Sequence, residues 1–294
     1  MPEEIKTQRE HKDRLFKAIF GRDTKESRRW RLDLYNALNG TAYTDPDALE
    51  LNTIENVIYI TMRNDVSFLV DDQMCLYEQQ SSYNPNMPLR GLMYFSQLYK
   101  IHLVKNDKIL HSETIIKIPS PRFLVFYNGS EKKPDSWKMR LSDAFQKASD
   151  EIKADFEWAA TVINLNKKRN QALQKKCEAL YSYVAYTSKV AENKKAGMEK
   201  AEAVEAAVDW AISKNLLDGF FERQRAEVME MSLTEFDEEE FRRCMRADGR
   251  EEKAVEDAVM LVRKYNAAPE VAAQDVGAPL DRVLEALSAA SAQA

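Results

Sequence analysis

The sequence predicts an α/β fold, a mixed sheet flanked by helices, followed by an all-helical C-terminal region. Three observations predict it. The stretch NDVSFLVDDQMCLYEQQSS (64–82) reads as two β-rich runs joined at Asp71-Asp72, residues that tolerate turn conformations. The run Phe123-Leu124-Val125-Phe126-Tyr127 is continuously apolar, which suits a strand buried on both faces and therefore covered by helices on each side. From Asn166 onward, apolar residues recur at helical spacing.

Residues 13–39 predict helix, interrupted at Gly21-Arg22-Asp23. Leu15, Phe16, Ile19 and Phe20 make one apolar stripe. Thr24 offers an N-cap to a second helix carrying Trp30, Leu34, Ala37 and Leu38, and Asn39-Gly40 closes it. Glu26 lies in the first turn of that helix, where an acid complements the helix dipole. LNTIENVIYITM (51–62) predicts a first core strand. The hairpin at 64–82 follows. With Asp71-Asp72 as a two-residue loop, Val70 faces Gln73 and every opposed pair of positions sums to 143, so Asp65 falls opposite Glu78. Opposed residues project to one face with Cβ atoms about 5 Å apart, and Gln80 shares that face. Two carboxylates so close repel unless a cation lies between them. A hard divalent ion, Mg²⁺ or Mn²⁺, takes oxygen ligands and fits that need. The alternative is two solvated acids on an exposed sheet face, with a slipped register.

Asn84-Pro85-Asn86-Met87-Pro88 is a turn that starts a helix over 89–104. Arg90 and Tyr94 share one face of it, with Gln97 and Lys100 nearby, either as solvated helix surface or as a strip bordering the polar end of the hairpin. Asn128-Gly129 ends the apolar strand. Residues 132–148 read as loop and short helix, and 156–165 as a further strand. Apolar periodicity marks helices over 173–184, 204–215 and 220–231. Thr234 and Asp237 offer caps to a segment at 241–247, and 250–265 is amphipathic. PEVAAQDVGAPLDRVLEAL (269–287) predicts a helical hairpin turning at Val276-Gly277-Ala278. Arg282 is its one basic residue, which favours packing or dimerisation over reading a DNA groove.

Of the 294 residues, 44% are hydrophobic and 31% charged, enough for a sizeable core with a well-solvated surface. The net charge of −5 argues against a protein that binds nucleic acid through global charge. Locally the balance reverses, with ten Lys/Arg against six Asp/Glu over 1–31 and nine against four over 97–140. Cys75, Cys177 and Cys244 are odd in number and widely spaced, which suggests neither a disulfide framework nor a zinc site. No secretory signal and no membrane-length apolar run is visible, so a cytoplasmic setting is expected.

The order helix with a Glu, strand, hairpin with Asp and Glu-x-Gln, helix, strand resembles the PD-(D/E)XK nuclease superfamily. Within it, the chain resembles the recombination-promoting nuclease (Rpn) and transposase family. The resemblance is carried by DRLFKAIFG (13–21), NDVSFLVDDQMCLYEQQSSYNPNMPLRGLMY (64–94), IPSPRFLVFYNG (118–129), LSDAF (141–145), VINLN (162–166) and the helical segment 211–240. It covers roughly residues 10–255 and implies a nuclease core over 10–165, while the residue pattern itself predicts a helical region over 166–266 and a small C-terminal hairpin over 267–294. It implies further that Asp65 and Glu78 hold a divalent metal with the backbone carbonyl of Gln79, and that Glu26 completes the site. Gln80 stands where the superfamily usually has Lys. The implied activity is Mg²⁺-dependent hydrolysis of DNA phosphodiesters, linked to recombination or mobile elements, with Arg90, Tyr94 and Lys100 along the nucleic acid. Gln80 in place of Lys leaves open a weak or inactive DNA- or protein-binding remnant, and nothing in the sequence excludes RNA as substrate. A homodimer through the helical C-terminal region is expected.

Overall fold

The computed structural model describes residues 15–51, 66–111, 113–146, 155–166, 168–265 and 267–291, and within helices the side chains of 235–248 and 289–291 are not described. The chain divides into two compact units, 1–234 and 235–294.

The first unit is built on a six-stranded mixed sheet, in the order β1-β2-β3-β4-β6-β5. The strands are β1 (Glu50–Leu51), β2 (Val66–Val70), β3 (Gln73–Gln80), β4 (Ser120–Tyr127), β5 (Ser136–Arg140) and β6 (Ala159–Asn164). Strand β2 is antiparallel to β1 and β3, whereas β3, β4 and β6 run parallel and β5 returns antiparallel along the edge. The two-residue loop at Asp71-Asp72 is present, with Asp71 at φ 47°, a conformation that Asp tolerates. Every described pair from Val70↔Gln73 to Val66↔Tyr77 keeps the predicted register. Asp65 and the expected strand over 51–62, apart from Leu51, lie outside the described residues.

Helices α1 (Leu15–Phe20) and α2 (Lys25–Asn39) precede the sheet, and α3 (Met87–Lys105) crosses between β3 and β4. Thr24 caps α2 through its hydroxyl, which accepts from the Ser27 N–H at 3.2 Å, and Gly40 closes it at φ 67°. The α1 stripe is fully buried. Arg31, 1% exposed, donates to the carbonyls of Phe20 and Arg22 and so takes up the chain end of α1. Burial pushes its pKa down to about 10.

Alternation on the strands gives the sheet two cores. Phe68, Tyr77 and Phe126 pack with Phe16 and Tyr183 in a chain of aromatic contacts at 5.1–5.6 Å on one face. Met74, Leu76, Phe123, Val125 and Tyr127 meet Met87, Tyr94, Phe95 and Leu98 of α3 on the other. A Cβ on Gly91 would lie 2.3 Å from the Phe123 ring, so glycine there lets α3 sit close over β4. Strand β4 is buried on both sides from Phe123 onward, as its apolar run predicts, and begins earlier, with Pro121 near its exposed start.

Beyond a turn at Gln224 inside the helix expected over 220–231, the structure departs from expectation in three places. Strand β5 occupies part of the expected loop. Ser136, Lys138 and Arg140 face solvent while Met139 turns inward, as on a charged edge strand. A second break divides the first C-terminal helix into α4 (Gln171–Lys176) and α5 (Glu178–Lys195), where the Cys177 thiol caps α5 by accepting from the Leu180 N–H. Helices α6 (Lys200–Ser213) and α7 (Phe220–Arg223) follow. The third departure is α8, which runs unbroken over Arg225–Tyr265 instead of restarting after Thr234 or Asp237. The Thr234 hydroxyl donates back to the Glu230 carbonyl at 2.8 Å, so it bonds within the helix and caps nothing.

The second unit contains the end of α8 with α9 (Pro269–Val276) and α10 (Leu280–Ser291), joined through Gly277 at φ 72° as the sequence predicts. Val255, Ala258, Ala272, Ala273 and Val283 form its core. No helix among the described residues is long and apolar enough to cross a membrane.

Candidate functional site

Strands β3, β4 and β6 end in register, with Gln80 beside Tyr127 and Tyr127 beside Asn164. Ligands of open α/β sheets sit outside such carboxyl ends. Polar residues gather here. Asn128 continues the ladder by donating its N–H to the Gln80 carbonyl at 3.1 Å. Gly129 has no room for a side chain, since a Cβ would lie 2.4 Å from the Ser81 carbonyl oxygen.

Glu78 and Gln80 are on the α3 face of β3, as the register predicts, and both are buried, at 1% and 3% exposure. A carboxylate taken this far from water needs positive charge and hydrogen bonds. Helix α3 supplies both. The Arg90 Nη2 donates to Glu78 Oε2 at 3.2 Å and to the Tyr94 hydroxyl at 3.0 Å. Tyr94 is 2% exposed, so the ring expected along the nucleic acid is a core residue, and what it does at this edge is to anchor Arg90. Arg90 keeps 28% of its side chain in solvent. The Gln80 Nε2 is buried with no hydrogen-bond partner among the described residues. Leaving such a donor unmet costs about 1–3 kcal/mol.

Gln79 points to the opposite face. Its Nε2 donates to Asn128 Oδ1 at 2.8 Å, and Asn128 Nδ2 donates to the Tyr183 hydroxyl at 3.2 Å. This amide–amide–phenol chain links β3, β4 and α5.

The other expected site residues are placed elsewhere. Glu26 sits at the start of α2, in the helix layer whose Tyr35 packs on Phe68, which is the face away from Glu78. Its half-exposed carboxylate is 4.0 Å from Arg223. Lys100 is exposed on α3 and lies ten residues past Arg90, about 15 Å along the helix axis. It is therefore not the charge that accompanies Glu78. Among the described residues no three His, Cys, Asp or Glu side chains gather at metal-binding spacing. Glu78 and the backbone at Gln79 are the described members of the expected oxygen set, and a buried carboxylate is the oxygen chemistry that a hard cation takes.

The sequence alone does not assign the Arg90–Glu78 pair. Its signal was the i, i+4 spacing of Arg90 and Tyr94 on the helix that follows Glu78, which marks a common face without saying that this face turns back on β3. Compared with protein-family models, curated proteins and solved structures, the chain matches none.

Proposed function

We propose that the chain is a divalent-metal-dependent endonuclease that hydrolyses DNA phosphodiesters, with Glu78 and Asp65 as acidic metal ligands and Gln80 beside them. The observation that carries this reading is the hairpin register. Its described pairs end at Val66↔Tyr77 on the sum of 143; counting one step further in the sequence, outside the described residues, pairs Asp65 with Glu78, which lies near the carboxyl end of a strand parallel to β4. The sequence resemblance to PD-(D/E)XK nucleases of the Rpn and transposase family, carried in part by the same hairpin, supports it. A bound Mg²⁺ or Mn²⁺ supplies phosphate polarisation and an attacking water of lowered pKa. The chain's own residues then bind and orient. Glu78 and Asp65 fix the position of positive charge, the Gln80 amide orients water or a phosphate oxygen by hydrogen bonding, and Arg90 and the basic surface of α3 meet the DNA backbone. The helical C-terminal region is proposed to join two copies, which sedimentation tests.

Supercoiled plasmid with Mg²⁺ or Mn²⁺ is the direct assay. Wild type is expected to nick it and Asp65→Ala to leave it intact. Equal nicking by both, or none by either at high enzyme, overturns the proposal. One observation favours a second reading, a DNA-binding remnant. Glu78 already has a cationic partner in Arg90, and Gln80 brings no charge of its own. A remnant is expected to bind DNA without nicking it and to bind no Mn²⁺.

A further inference from the structure

We propose that Arg90 is a resident cation of this site. It holds the Glu78 carboxylate when no divalent ion is bound and gives it up when one binds. The inference rests on the metal-site reading above and adds a competitor that is part of the chain. Glu78 is fixed, being on a strand and 1% exposed, so it cannot turn to water. Arg90 is not fixed in the same way. It enters from the first turns of α3, and its 28% exposure gives the guanidinium a route outward. The guanidinium lies 3.5 Å from the Met87 sulfur through Nη1 and reaches Glu78 Oε2 at 3.2 Å through Nη2. The same nitrogen is held at 3.0 Å by the Tyr94 hydroxyl, so the resting position is defined and not random.

A divalent ion held by Glu78 would share one buried carboxylate with that guanidinium. Two cations on one carboxylate within hydrogen-bond distance repel strongly in a buried setting, so the ion binds at the cost of moving Arg90. Arginine keeps its charge at every ordinary pH, so this resident cation does not switch off by deprotonation. Gln80, neutral on the same face, adds nothing to the competition.

Calorimetric titration of Mn²⁺ into the full chain tests this, with wild type, Arg90→Gln, Tyr94→Phe and Glu78→Gln compared and circular dichroism confirming that each is folded. Arg90→Gln is expected to bind Mn²⁺ about tenfold more tightly than wild type, because the displaced charge is gone. Tyr94→Phe loosens Arg90 by one hydrogen bond and is expected to gain about two- to threefold. It carries the test alone where Arg90→Gln does not fold. Glu78→Gln is expected to bind none. Unchanged or weaker binding in Arg90→Gln and Tyr94→Phe overturns the resident-cation proposal and leaves the metal site standing. Absence of Mn²⁺ binding in wild type and Arg90→Gln alike overturns the metal-site reading, and this proposal with it.

Discussion

Glu78 and Gln79 are neighbours in sequence and open onto opposite faces of one sheet, and each starts a polar chain that ends on a tyrosine. The Gln79 chain is neutral, passing through Asn128 to Tyr183. Its amides fill each other's hydrogen-bonding needs, and it ties two strands to a helix. The Glu78 chain is charged, passing through a partly solvated Arg90 to Tyr94, and beside it the buried Gln80 amide has an unused donor. The contrast teaches how to separate scaffolding from site where both are buried and polar. A satisfied neutral network specifies the fold, whereas a buried charge with a partly solvated partner and an unmet donor costs stability.

The largest expected difference is functional. Glu78→Gln keeps the volume and should lower plasmid nicking by at least about a hundredfold, the scale of losing one electrostatic contact to a reacting group. Removing one partner of a buried pair destabilises, but Arg90 keeps 28% of its side chain in solvent, so the urea midpoint should fall by less than for a pair buried on both sides. Asn128→Ala should act on stability and not on the metal. It breaks the neutral chain at its centre and should lower unfolding stability by about 1–3 kcal/mol in urea titration, while Mn²⁺ affinity stays as in wild type. A wild-type urea curve with lost Mn²⁺ binding would erase the distinction between the two faces.

Gln80→Met is a smaller and sharper test. Removing an unpartnered buried donor should raise stability by up to about 1 kcal/mol, at the expense of nicking. A destabilised variant would mean that the amide is satisfied in the native fold. Smallest is the effect at Cys75, which shares the Gln79 face. Burial pushes its thiol up to about 12 from 9.0. The folded chain therefore keeps this proton between about pH 9 and 12, where the unfolded chain has lost it, so its contribution to stability falls as pH rises through that window. At pH 8 a thiol reagent should modify Cys75 only after denaturation, and fast native labelling would show that this face opens.

Much of this was legible in sequence where local chemistry and tertiary packing agree. The hairpin declared itself because two β-rich runs flank two residues able to turn, and its register then followed from counting. Thr24, Gly40 and Gly277 acted as the caps or turns their types suggest. The failures have physical causes. Strand β5 was hidden because an edge strand needs only Trp137 and Met139 facing inward, and its charges read as loop. The break at Cys177 was hidden because a thiol seldom caps a helix. Thr234 and Asp237 look like caps, but helix continues through both, with the Thr234 hydroxyl bonded inside it. Of the site, the shared face of Glu78 and Gln80 was legible from alternation. The Arg90 partnership was not, because it depends on how α3 returns across the sheet, and Glu26 was drawn in by family pattern although it faces Arg223.

The central claim is that Glu78 is half of a metal-binding acid pair, and crystals grown with Mn²⁺ test it most directly through anomalous scattering. The expected result is one ion bound by carboxylate oxygens of both Glu78 and Asp65, with the Arg90 guanidinium moved off Glu78. A map with no ion at Glu78, and Arg90 still in hydrogen-bond contact with its carboxylate, would contradict it.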